Sequence, residues 1–134
     1  MRVFLDTNVL VSAFATRGLC ADVLRVVLGE HTLVTSEVVP RELERVLQRR
    51  IGLPRGTVKE ISDFLREHEV APKPKVRAAV PRRDPDDQWV LASAIASGAD
   101  VLVTGDRDLL DVAAAASIKI VDPRGFWELV RQNG

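Results

Sequence analysis

Cysteine is almost absent from this 134-residue chain, in which Cys20 stands alone. A single thiol cannot close an internal disulfide or build a multi-cysteine zinc site, so Cys20 reads as a small buried side chain. Histidine is nearly as scarce: His31 and His68 share no ligand-like spacing and have no partner nearby in sequence. Both read as exposed or structural rather than catalytic. Aromatic residues are limited to four Phe and two Trp, with no Tyr. A platform for stacked nucleic-acid bases is therefore not expected, and Trp89 and Trp127 read as core fillers. No apolar run approaches the ~18 residues of a membrane span. The opening MRVFLDTN meets Asp6 before an apolar signal segment can form. The expectation is a cytoplasmic protein with one domain over residues 1–134, long enough to bury its own core.

Net charge is zero, but its distribution is uneven. Residues 41–83 hold 12 Lys/Arg against 6 Asp/Glu, and the rest of the chain holds 7 against 13. A basic middle beside acidic ends suits a polyanion surface next to a carboxylate-lined site, although from charge alone solvated helix faces are the simpler explanation. Five short β-rich runs, at 2–5, 32–35, 70–72, 101–104 and 118–121, alternate with helical periodicity. The helical stretches fall near 8–29 with a break around Arg17–Gly18, then at 37–50, 55–68, 86–97, 107–115 and 124–132. This alternation predicts an α/β fold with a mostly parallel sheet between two helical layers. Residues 73–83, preceded by Pro72 and containing Pro74, Pro81 and five basic residues, read as an extended loop.

Four acidic positions behave differently from their neighbours. Asp6 ends the apolar run Val3–Leu5, where open α/β sheets tend to bind ligands. Thr7 and Asn8 suffice to cap the following helix, which leaves Asp6 without a structural task. Asp106, in VLVTGDRDLL, also lies just past an apolar strand, and either it or Asp108 caps the next helix. If these two strands are neighbours ~4.8 Å apart, their terminal carboxylates converge. Glu42 falls within the apolar stripe Val38, Val39, Leu43, Val46 and Leu47, whereas Glu37 and Glu44 point away. A carboxylate there needs a metal or a cationic partner such as Arg49. In the cluster RDPDDQW, Asp84 suits the helix N-cap and Pro85 the first helical position. Asp86 shares a polar face with Ser93 and Ser97, so Asp87 alone points inward.

Carboxylates without imidazole or thiolate suit hard, oxygen-loving cations such as Mg²⁺ or Mn²⁺. Such an ion can polarise a phosphoryl oxygen and activate water at neutral pH, which is the chemistry of phosphodiester hydrolysis. The basic 41–83 segment could hold a phosphate backbone beside that site.

The segments FLDTNVLVSA, DPDDQWVLASAIASGADVLVTGDRDLL and IVDPRGFWELV, together with Glu42, resemble the PIN-domain ribonucleases over essentially the whole chain. Within that family the chain is similar to toxin components of bacterial and archaeal toxin–antitoxin pairs. The resemblance implies a five-stranded sheet in the order 3-2-1-4-5 and an RNA substrate cut with Mg²⁺ or Mn²⁺. It further implies a homodimer and an antitoxin partner. The family's four metal-binding catalytic acids carry over onto Asp6, Glu42, Asp87 and Asp106. Asp86 competes for the third place, although the inward face and the spacing to Gly98 favour Asp87. Asp108 matches a frequent additional acid, and Asn8 or Thr104 would support the cluster through hydrogen bonds.

Three other readings compete. A phosphoacceptor receiver domain needs an acidic pair at the first strand end and a lysine after the fifth, where this chain has Asp6-Thr7-Asn8 and Lys119 inside the last strand. A haloacid-dehalogenase-type phosphatase needs an acid where Asn8 stands. A non-catalytic, metal-stabilised RNA- or protein-binding module would keep all four acids without turnover.

Overall fold

The segment RVFL is apolar enough to be buried on both faces, and it becomes the central strand β1 (Arg2–Leu5), with Val3, Phe4 and Leu5 fully buried. Described here, in a computed structural model, are residues 1–71 and 85–133, excluding the side chains of 85–88 and 133. The loop expected at 73–83 lies outside these described residues. Strand β1 pairs in parallel with β2 (Thr32–Ser36) on one side and with β4 (Val101–Val103) on the other. Strand β3 (Glu69–Ala71) flanks β2 and β5 (Lys119–Val121) flanks β4, giving a parallel sheet in the order β3-β2-β1-β4-β5.

The expected strand positions hold to within a residue or so. The third starts one residue early because Glu69 pairs opposite Val34.

Helices α1 (Thr7–Ala15), α2 (Leu19–Glu30), α3 (Val38–Val46) and α4 (Arg55–Arg66) connect the first three strands. Helices α5 (Pro85–Ala96) and α6 (Arg107–Asp111) make the return crossovers through β4 and β5, before α7 (Pro123–Asn133). Parallel crossovers are right-handed, so reversing the direction of travel after β3 moves α5 and α6 to the opposite face from α1–α4. The contacts agree: α5 packs on β2, β4 and α6, whereas α2 packs on β2 and α7. The result is the expected three-layer α/β/α arrangement.

Local geometry refines three expectations. The helical stretch 8–29 breaks at Gly18, as its sequence suggested, into α1 and α2. The stretch 37–50 widens after Val46 into a π-helical turn, Leu47–Ile51, that closes on Gly52. The stretch 107–115 is split between α6 and a 3₁₀ turn at Ala113–Ala115.

Two features anchor the end of the sheet opposite the acids. The Arg2 guanidinium bridges Glu69 at 2.5 Å and donates to the carbonyls of Ser97 at 2.6 Å and Gly98 at 3.1 Å. Helix α5 stops in a Schellman turn, in which Ala99 N–H reaches Ala94 O and Gly98 N–H reaches Ile95 O. Gly98 sits there at φ +74°, a conformation that strains any L side chain. Gly98→Ala should therefore lower the unfolding free energy by about 1 kcal/mol in urea titrations. Gly29→Ala, inside α2 with open space around it, should raise it by roughly 0.5–1 kcal/mol.

Candidate functional site

Asp6 leaves β1 at its carboxyl end, and its backbone N–H continues the β1–β4 ladder to Val103 O at 2.9 Å. The side chain is buried. One carboxylate oxygen accepts from Thr7 N–H at 2.7 Å, and the other accepts from the Thr104 hydroxyl at 2.7 Å. This corrects one expectation: Asp6 is itself the N-cap of α1, and Thr7 is already helical. The cap and the proposed ligand are the same side chain, because the helix begins one residue earlier than its apolar pattern suggested.

Thr104, fully buried after β4, also accepts from Asp106 N–H at 3.0 Å. Asp106 in turn caps α6 by accepting from Asp108 N–H at 2.8 Å, which resolves the choice between these two acids as cap. A continuous chain of hydrogen bonds thus runs from Asp6 through Thr104 and Asp106 to Asp108. On the other side of Asp6, the buried Thr7 hydroxyl donates to Glu42 on α3 at 3.3 Å. Glu42 is half-buried, as its place on the apolar stripe implied, but the alternative pairing with Arg49 does not form among the described residues. Thr7 was read from sequence only as a capping residue. Its adjacency to Asp6 was the one signal available, and that signal could not foretell a contact 35 residues away.

Asn8 is exposed and makes no side-chain hydrogen bond to this group among the described residues. The side chains of Asp86 and Asp87 lie outside the described residues, as does Asp84; the helix that carries Asp86 and Asp87 starts at Pro85 and packs on β2 and β4. His31 packs edge-on against Phe126, and His68 against Phe64 with Nδ1 3.0 Å from Phe64 O. Trp127 packs against the core as expected. Trp89, expected there too, is half-buried and lines a cavity of about 460 Å³ between α3 and α5.

Burial is the main reason the Asp6 carboxyl is pushed up from 3.8 to about 6. Its two hydrogen bonds oppose that shift, and the negative charges of Glu42 and Asp106 add to it. Among the described residues no three Asp, Glu, His or Cys side chains lie close enough together to hold an ion by themselves. The donor chemistry nevertheless fits a hard divalent cation: every group is oxygen, Asp6 is oriented by two donors, and the neighbouring charges repel until something positive intervenes.

The chain belongs to the PIN domain family, whose model matches residues 2–108. Two solved structures share the fold. VapBC2 from Rickettsia felis, bound to a DNA fragment from their promoter, has a TM-score of 0.61 at 16% identity. FitAcB from Neisseria gonorrhoeae has a TM-score of 0.59 at 18% identity. Each alignment covers 91% of this chain and 98% of the other. No curated protein matches in sequence.

An acid whose pKa is raised in the folded state keeps a proton that the unfolded chain has already lost. Stability from this group is therefore fully present below the unfolded value of 3.8 and is lost as pH rises through about 6. The loss is on the order of 3 kcal/mol. In chelator at pH 7, Asp6→Asn should melt several degrees above the parent, and the gap should close below about pH 4. Melting curves across pH test this; a parent that is more stable than the variant at pH 7 would contradict it.

Proposed function

We propose that this protein is a Mg²⁺- or Mn²⁺-dependent endoribonuclease, a single PIN-like unit over 1–134 that acts in the cytoplasm as the toxin of a toxin–antitoxin pair. The observation that carries the reading is the hydrogen-bonded linkage, through Thr7 and Thr104, of three acidic residues from three elements at the carboxyl edge of a parallel sheet. Asp6 follows β1, Asp106 follows β4, and Glu42 reaches over from α3, and the charges of the last two bear on the first.

Asp6, Glu42 and Asp106, with Asp87 as the fourth, would hold the cation; Asp108 and Thr104 support them. When bound, the ion supplies a polarised phosphoryl oxygen and a water acidic enough to attack at neutral pH. The protein's own part is orientation. Thr7 N–H and the Thr104 hydroxyl fix both oxygens of Asp6, so its free lone pairs are set before substrate arrives. Asp108 N–H does the same for Asp106, and the Thr7 hydroxyl steadies Glu42. The basic 41–83 segment supplies phosphate contacts that favour any RNA strand without reading its bases.

The antitoxin and the homodimer rest on the sequence resemblance. VapBC2, solved on DNA from its promoter, supports extending a paired assembly to this chain. A non-catalytic, metal-stabilised binding module is the second reading, since the same acids would hold an ion without turnover.

Single-stranded RNA should be cut in the presence of Mg²⁺ or Mn²⁺ and protected by chelator. Asp6→Asn, Glu42→Gln and Asp106→Asn should each slow cutting by on the order of 10²-fold or more while circular dichroism stays unchanged. Protein that binds metal but leaves a broad RNA pool intact would sink the enzyme reading in favour of the binding module.

A further inference from the structure

Beside the acids, the cavity of about 460 Å³ bridges the two helical layers above the end of β2. Its walls include Ser36 from the end of β2, Arg41, Glu42 and Arg45 from α3, and Trp89 and Ser93 from α5. Three observations point to a ligand rather than to a packing defect. First, Ser36 is fully buried, and its hydroxyl has no hydrogen-bond partner among the described residues. A buried hydroxyl left unpaired is costly, and in native folds such a group finds its partner in the protein, in ordered water or in a bound group. Second, Arg41 and Arg45 stand one turn apart on α3, both exposed, and neither forms an ion pair among the described residues. Third, Trp89 brings an aromatic side chain to a cavity that also has the apolar groups Val38, Val39 and Val90 on its walls.

We infer that this cavity is a nucleotide subsite, which seats the base next to the cleaved phosphodiester and so biases where the strand is cut. The chemistry matches part by part. A base has an apolar face for Trp89 and the valines, and polar edges for the hydroxyl of Ser36. Its flanking phosphate suits a guanidinium pair. The volume lies within the roughly 300–1,000 Å³ of small-molecule pockets. Glu42 belongs both to this cavity and to the acid group, so a nucleotide held here would lie beside the reacting phosphate. The biasing role rests on the ribonuclease reading; the binding of a nucleotide does not.

The test separates the two. In a Trp127→Phe background Trp89 is the sole tryptophan. Titration with 5′-AMP, GMP, CMP and UMP in chelator should quench its fluorescence, with one base preferred. Ser36→Ala should keep or raise thermal stability, since it removes an unpaired hydroxyl, yet weaken that nucleotide about 5-fold. Arg41→Gln with Arg45→Gln should weaken all four and flatten the salt dependence. Sequencing the ends of cut RNA should show a base bias that Trp89→Ala reduces, with KM rising more than kcat falls. If nucleotides quench while RNA stays intact, the subsite stands and the nuclease reading fails. If RNA is cut but no monophosphate quenches at millimolar concentration, or Trp89→Ala leaves the cut pattern unchanged, the subsite is overturned. A cavity that accepts only peptide gives that same silent titration.

Discussion

The parallel pairing of β1 with β4 is the constraint on which the acid group depends. Its register sets Leu5 opposite Val103, so the next residues, Asp6 and Thr104, leave the sheet side by side. The hydrogen bond from Thr104 to Asp6 follows from that register alone, and the one from Asp106 N–H to Thr104 follows from the turn at Gly105. A slip of the strand by one residue would turn every side chain to the opposite face and dissolve the arrangement. Both strands are anchored in the core by the fully buried side chains of Val3, Phe4, Leu5, Leu102 and Val103, which leave neither a polar face to expose.

The same burial that secures the sheet makes Asp6 expensive to ionise. A carboxylate at the edge of a close-packed core loses water, and Glu42 and Asp106 bring more negative charge toward it. Two donors recover part of that cost without neutralising the charge. A fold selected for stability alone would put an apolar or neutral side chain there. On the proposed reading, an acid stands at this position because its charge is useful when a cation arrives. The Ser36 hydroxyl, at the end of the neighbouring strand and unpaired among the described residues, has the same character on a smaller scale: it is left open where packing would favour closure.

Periodicity made the strand and helix alternation legible, because a parallel sheet buried on both faces needs continuous apolar runs and its crossovers need amphipathic helices. It also picked Glu42 from among three neighbouring glutamates, since one hundred degrees per residue places it inside the stripe that ends up buried. Less legible were features set by contacts distant in sequence. The π-helical turn at Leu47–Ile51 has no periodic signature of its own. Trp89 was misread as core because its apolarity says that it should be covered, not by what. Asp6 was separated from its capping role because the helix start was judged from the apolar pattern rather than from the backbone, which turns helical directly after it.

The sequence by itself determined which segments are buried, the α/β class, which carboxylates stand at the ends of β1 and β4, and that Glu42 lies on an inward helix face, because these follow from local pattern and from the chemistry of the residues. Only the tertiary structure decided that the hydroxyls of Thr7 and Thr104 tie the acids together, that Arg49 does not pair with Glu42, and that a cavity with a serine hydroxyl unpaired among the described residues opens beside them. Those depend on strand register and on how two helical layers meet above the sheet, and no local pattern encodes a distance between residues far apart in the chain.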